Sequence, residues 1–123
     1  MSPENWQIIV VEDTYDDVEL ASTILAYHGV DVIIAHNGQE CLDLLQTTHP
    51  TCIVTDLSMP VMDGWQMLSQ IRDIYDSASM PVIATTAYDS VEVAQEALKA
   101  GFNAYFPKPL SPRHFVDSLK ELL

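Results

Sequence analysis

Five residues at four separate points of the chain have the chemistry to handle a phosphoryl group: Glu12 and Asp13, Asp56, Thr86, and Lys108. Three carboxylates brought close together repel one another, by about 4 kcal/mol per pair at roughly 4 Å in an effective dielectric of about 20. Such a cluster either takes up a proton or recruits a divalent cation. A donor set made only of oxygens, with positions left for water, suits Mg²⁺. The backbone carbonyl of Ser58, two residues past Asp56, is placed to join it. Phosphoryl transfer is largely positioning and charge neutralisation. In such a site Asp56 is the carboxylate nucleophile that forms an acyl phosphate. Lys108 holds the phosphoryl oxygens, and the Thr86 hydroxyl donates a hydrogen bond to one of them.

That chemistry requires the residues to meet, and the patterning of the chain says how. Short β-rich runs alternate with helical patterns of about 10–15 residues, the signature of repeated βα units and a parallel sheet. Strands are predicted at 7–11, 30–35, 51–55, 81–85 and 103–106. They carry few charges, as strands covered on both faces should. The first helix is predicted at about 16–27, with apolar Leu20, Ile24 and Tyr27 at helical spacing and Gly29 positioned to end it. Asn37 and Glu40 start the second helix in the manner of a capping box, ahead of Leu42, Leu44 and Leu45. Asp63 precedes the third, whose buried stripe is Leu68, Ile71 and Ile74 or Tyr75. Asp89 or Ser90 caps the fourth, which carries Val93, Ala94, Ala97 and Leu98 and stops at Gly101. Ser111-Pro112 starts the fifth, since proline suits the first helical position, and Phe115, Leu119 and Leu122 face inward. The expectation is an α/β fold: a single (βα)₅, flavodoxin-like, doubly wound parallel sheet of five strands in order 2-1-3-4-5, occupying residues 1–123. Ligands of such sheets bind outside the carboxyl ends of the strands. Glu12-Asp13, Asp56, Thr86 and Lys108 all fall there.

Composition narrows the possible partners. Eighteen acids against five bases give a formal net charge of −13, which repels phosphate backbones and anionic membrane surfaces. Direct nucleic-acid binding is not expected, and cations and other proteins are. The apolar runs are far shorter than the roughly 20 residues that cross a bilayer. The first residues lack the basic and apolar segments of a secretion signal, so a cytoplasmic location is expected. Cys41 and Cys52 sit in apolar stretches and read as small core residues. The four histidines lack metal-ligand spacing and read as solvent-facing. Met59, Met62, Met67, Trp65 and Trp6 read as packing residues.

The blocks around these residues resemble the receiver domains of two-component response regulators, the CheY-like family. They are Ile8-Ile9-Val10-Val11-Glu12-Asp13, Thr55-Asp56-Leu57-Ser58-Met59-Pro60-Val61-Met62-Asp63-Gly64, Pro81-Val82-Ile83-Ala84-Thr85-Thr86-Ala87, and Phe106-Pro107-Lys108-Pro109. They occur in the family's order and spacing over essentially the whole chain. The resemblance implies that Asp56 is the phosphoacceptor and that Glu12 and Asp13 bind Mg²⁺, Asp13 more directly. It implies that Ser58 lends its carbonyl to the metal, that Thr86 is the switch hydroxyl and Lys108 the family lysine. It makes Tyr105 the aromatic residue that follows the switch, with a cis Lys108–Pro109 bond. Ser58 and Tyr88 occupy positions where the family varies. The implied function is a signalling switch, with no turnover of an external substrate. Its phosphoryl source is a sensor histidine kinase or phosphotransfer protein. Its output face is the fourth helix, fifth strand and fifth helix, which docks a target protein or a second receiver.

Two other functions fit the fold less well. Aspartyl-nucleophile phosphohydrolases of the haloacid-dehalogenase type need a second aspartate two residues after the first as general acid, and Ser58 stands there. A flavin carrier needs a Ser/Thr-rich phosphate loop after the first strand, where this chain has carboxylates.

Overall fold

The apolar runs lie side by side in one direction, and each return is made by a helix. In the computed structural model, which describes residues 2–88 and 90–123, the strands are β1 (Gln7–Val11), β2 (Asp31–Ala35), β3 (Cys52–Asp56), β4 (Val82–Thr86) and β5 (Ala104–Pro107). All pair in parallel in the order β2-β1-β3-β4-β5, the doubly wound arrangement expected from the alternation. The crossovers are α1 (Tyr15–Tyr27), α2 (Gly38–Leu45), α3 (Gly64–Arg72) and α4 (Val91–Ala100), and α5 (Phe115–Leu122) follows β5.

Side chains alternate faces along each strand, so the sheet divides the interior in two. Ile8 and Val10 pack with Trp6, Leu25, Phe115 and Leu119 on the α1 and α5 side. Ile9, Val11 and Ile53 pack with Met67, Leu68 and Ile71 on the other. The central strands β3 and β4 are buried along their whole length. Cys41 and Cys52 are unpaired and buried, and that burial pushes both thiols up to about 12, so they serve as core. Helix starts follow the local chemistry. Asn37 accepts from the Glu40 N–H at 2.9 Å, Asp63 and Gln66 form a reciprocal capping box, and Ser90 accepts from the Val93 N–H at 3.1 Å. Asp89, the alternative cap, lies outside the described residues. Gly101 ends α4 at φ +115°, a left-handed conformation that favours glycine.

Several apolar positions picked out on the helices face water. Tyr27 is 86% exposed, Ile74 74%, Leu98 55% and Leu122 42%. Each lies in the last turn of its helix or just beyond it. Tyr75, not Ile74, packs inward from α3. The fifth helix also starts later than its proline suggests. Residues 112–114 form a turn in which the Ser111 carbonyl accepts from the N–H groups of His114 and Phe115. Regular helix begins at Phe115, whose ring packs edge-on against Phe106 at 5.2 Å. The proline sets the turn, and packing sets the helix.

At the end of the sheet away from the acidic cluster, Arg72 bridges three segments. Its guanidinium donates to the carbonyls of Gly101 and Met80, each at 2.8 Å, and to Asn103 Oδ1 at 2.9 Å. Asn103 in turn accepts from the Val82 N–H, at the start of β4, at 2.9 Å. Replacing Arg72 by methionine keeps much of the stem and strands these acceptors. The expected loss is about 3 kcal/mol of unfolding free energy in urea. A loss below about 1 kcal/mol would show that water replaces the guanidinium without cost.

Candidate functional site

Register decides which side chains converge. Val11 pairs with Thr55, and Asp56 pairs with Thr85. Thr86 pairs with Pro107. The carboxyl ends of β1, β3, β4 and β5 are therefore level, and the residues just beyond them share one edge. Glu12 continues the line of β1, its N–H bonded to the Ala35 carbonyl at 2.9 Å. Its side chain is buried at that edge, while Asp13 is exposed where the chain turns toward α1. Asp56 is the last residue of β3 and is 8% exposed. Its Oδ1 accepts from the Leu57 N–H at 2.8 Å and more weakly from the Ser58 N–H at 3.5 Å.

The segment after β3 is folded tightly over its own start. The Gly64 N–H donates to the Leu57 carbonyl at 3.1 Å. A Cβ on Gly64 would run into the backbone oxygen of Asp56, so this close approach requires glycine. Between them Val61 takes φ +68°, costly for a β-branched residue. Nothing in the sequence marks that position as left-handed.

Lys108 directly follows β5 and precedes Pro109 across a cis bond, and its N–H is fixed to the Thr86 carbonyl at 2.7 Å. Its ammonium lies 2.7 Å from Glu12 Oε2, 2.8 Å from Asp17 Oδ2 and 3.3 Å from Asp56 Oδ2. Asp17 is the member of this group that the sequence reading missed. An acid in the first turn of a helix has a sufficient reason in the helix dipole, so its type and position carry no special mark. The usable signal is topological: α1 starts directly after Glu12-Asp13, and its first turn therefore borders the same sheet edge.

Charge at this edge is unbalanced. Oxygens of Glu12, Asp13 and Asp56 lie within 4.8 Å of one another. Burial, with the neighbouring Asp56 and Asp17 charges adding to it, pushes the Glu12 carboxyl up to about 7 despite its bond to Lys108. Burial alone would lower the Lys108 ammonium, but its bonds to Asp17 and Glu12 outweigh that and hold it above the usual lysine value. Glu12 Oε1 is buried and has no protein hydrogen-bond partner. An all-oxygen cluster with an unpartnered buried carboxylate oxygen is chemically matched to a hard divalent cation. Ser58, exposed in the turn leaving β3, is the backbone-carbonyl candidate beside it.

Thr86 and Tyr105 meet through one residue, Tyr88. The Thr86 hydroxyl is buried and accepts from the Tyr88 N–H at 3.0 Å. The half-buried Tyr105 donates its hydroxyl to the Tyr88 carbonyl at 2.6 Å. All the residues selected from the sequence thus lie at the carboxyl edge of the sheet or on the strand and loop next to it.

Residues 8–120 match the family model of the response regulator receiver domain. The chain belongs to that family. It is 38% identical to a 14.6 kDa protein of Leptolyngbya boryana, over 93% of this chain and 87% of that one. It is 33% identical to the response regulator MprA of Mycobacterium avium, over 95% of this chain and 50% of MprA, so it spans about half of that protein's length. The receiver domain of Francisella response regulator 1452 superposes with a TM-score of 0.87 at 31% identity, covering 96% of each chain. Receiver domains are signalling switches of two-component systems, phosphorylated by histidine kinases or phosphotransfer proteins, and they bind Mg²⁺ at an acidic pocket. The phosphohydrolase and flavin-carrier readings are not favoured by these matches. No helix among the described residues of this receiver is long and apolar enough to cross a membrane.

The charge imbalance has a measurable sign. In chelator, Asp13→Asn removes one of the mutually repelling carboxylates, and the melting temperature is expected to rise by about 3 °C. The stabilisation that wild type gains on adding Mg²⁺ is expected to shrink in the same variant. A lower melting temperature than wild type in chelator would refute the repulsion.

Proposed function

We propose that residues 1–123 form a phosphorylation-controlled signalling switch whose phosphoacceptor is Asp56, served by Lys108 and Thr86, with Mg²⁺ held by Glu12, Asp13, Asp56 and the Ser58 backbone carbonyl. One observation carries this reading: the Asp56 carboxylate ends a buried strand within 4.8 Å of two other carboxylates and has an ammonium 3.3 Å from its Oδ2. A bound Mg²⁺ would supply charge neutralisation to the phosphoryl oxygens and to the three carboxylates. The Leu57 N–H fixes the Asp56 carboxylate before a donor arrives. Asp56 then forms the new O–P bond as the donor's P–N bond breaks, and Lys108 holds an oxygen of the transferred group. A groove of about 380 Å³, lined by Ser58, Met59, Trp65, Thr86, Tyr88 and Val93, opens beside the acceptor and gives a donor side chain room to approach. The expected donor is a cytoplasmic sensor histidine kinase or phosphotransfer protein. The domain's own chemistry is limited to accepting and slowly hydrolysing its phosphoryl group. With acetyl phosphate and Mg²⁺, intact-mass measurement is expected to show one added phosphoryl group. Labelling that survived Asp56→Asn or a chelator would remove Asp56 from the acceptor role.

The signal leaves through Thr86. A phosphoryl group adds nearly two negative charges and strong acceptor oxygens, which draw the Thr86 hydroxyl away from the Tyr88 N–H. Tyr105 is bonded to the carbonyl of the same Tyr88, so the loop before α4 and the ring on β5 respond together. The face built by α4, β5 and α5 then has two arrangements whose populations phosphorylation shifts. It exposes Val91 and Leu98, suited to a protein target or a second receiver. Amide shifts on adding beryllofluoride are expected to reach Tyr105 and α4 in wild type and to stop near Asp56 in Thr86→Ala. Identical remote shifts in both proteins would clear Thr86 of the relay.

A further inference from the structure

The Lys108 ammonium has three N–H groups and three carboxylates around it, and one of the three does not belong to the acidic cluster. Glu12 and Asp56 are members of the group whose oxygens lie within 4.8 Å of one another. Asp17 comes from the first turn of α1. Its contact with Lys108, at 2.8 Å, is nevertheless shorter than the 3.3 Å between Lys108 and the acceptor Asp56. The side chain of Asp17 is 34% exposed, against 5% for Glu12, so it can turn to water where Glu12 cannot.

We propose that Asp17 is a positioning residue that draws Lys108 toward α1 and so limits how strongly the site takes a phosphoryl group. The inference rests on Asp56 being the phosphoacceptor. Two physical effects act in the same direction. The pull of Asp17 keeps the ammonium closer to α1 than to the acceptor. The Asp17 charge also stands beside the place where the phosphoryl oxygens collect, and like charges repel there. When a phosphoryl group forms, its oxygens outcompete a single carboxylate for the ammonium. Lys108 then moves off Asp17, and the first turn of α1 loses its tie to β5. Asp17 thereby sets the height of the step that Lys108 must climb to serve Asp56.

The test uses beryllofluoride as the phosphoryl mimic, titrated at saturating Mg²⁺ and followed by amide shifts of Leu57 and Thr86. Wild type is compared with Asp17→Asn, Asp17→Glu and the acceptor control Asp56→Asn. Asp17→Asn keeps a hydrogen-bond acceptor and loses the charge, and is expected to bind the mimic about fivefold more tightly. Asp17→Glu keeps the charge and is expected to resemble wild type. The fivefold gap is expected to narrow in about 1 M salt, because charge competition is screened while a purely structural hydrogen bond is not. Equal or weaker binding by Asp17→Asn, or a gap insensitive to salt, overturns the proposal. Calorimetric titration with Mg²⁺ alone gives a further check. A loss of affinity in Asp17→Asn as large as that in Asp13→Asn makes Asp17 a metal ligand and also overturns it. Binding of the mimic by Asp56→Asn would instead defeat the acceptor assignment, and the Asp17 proposal with it. Wild-type binding at Asp56 without the Asp17→Asn gain defeats the Asp17 proposal alone.

Discussion

The ammonium of Lys108 is the interaction on which the functional edge depends. Burying Glu12 as a charged group costs several kcal/mol unless a partner repays it, and the partner is Lys108 at 2.7 Å. The same nitrogen faces Asp56 and Asp17, so one positive charge anchors β1, β3 and α1 at once. Its placement is a backbone matter before it is a side-chain matter. The Lys108 N–H is fixed to the Thr86 carbonyl, which makes the lysine's position a consequence of how β5 pairs with β4. The same pairing sets the height of Thr86. Asp56, Lys108 and Thr86 therefore share one frame, the parallel register of three neighbouring strands.

A rigid frame is what a small electrostatic signal needs. β3 and β4 are buried on both faces, so Asp56 and Thr86 stand at the ends of strands that cannot yield. The opposite end of the sheet is held by Arg72, which ties the end of α3 to Gly101, Met80 and Asn103. Two of the five bases in a chain of net charge −13 are thus committed to internal bonds, one at each end of the sheet. Just after β4, the Tyr88 backbone is held at its N–H by Thr86 and at its carbonyl by Tyr105.

The fold and most of the candidate site were legible in the sequence because both follow from one-dimensional rules. Alternating strand and helix patterns imply a parallel sheet, and a parallel sheet places every strand's carboxyl end on one edge. Glu12, Asp13, Asp56, Thr86 and Lys108 could be grouped on that basis before any coordinate was known. The misses share a different origin. Tyr27, Ile74, Leu98 and Leu122 have the right type and near-helical spacing for burial, but whether a last helical turn is covered depends on which other elements pack there, which spacing does not say. The delayed start of α5 is likewise a packing outcome, set by Phe115 against Phe106. Asp17 was invisible because a helix-start acid already has a local explanation. The left-handed Val61 has no sequence mark at all.

The charge arithmetic of the edge explains why such a site can act as a switch and not only as a binding pocket. Glu12, Asp13, Asp17 and Asp56 with Lys108 carry a formal charge of −3 when every acid is ionised. A divalent cation brings that close to neutral, at −1. On the proposed reading, phosphorylation would replace the single charge on Asp56 with nearly two on the phosphoryl group, returning part of the imbalance. The surplus negative charge has to be met by donors already within reach. Lys108 is partly committed to Glu12 and Asp17. The Thr86 hydroxyl accepts from Tyr88 while its own proton is uncommitted among the described hydrogen bonds. On the proposed reading it is the donor that responds, and its response disturbs Tyr88, the residue whose carbonyl also holds Tyr105. The proposed output at the α4, β5 and α5 face is thus the consequence expected of an acidic edge with so few donors.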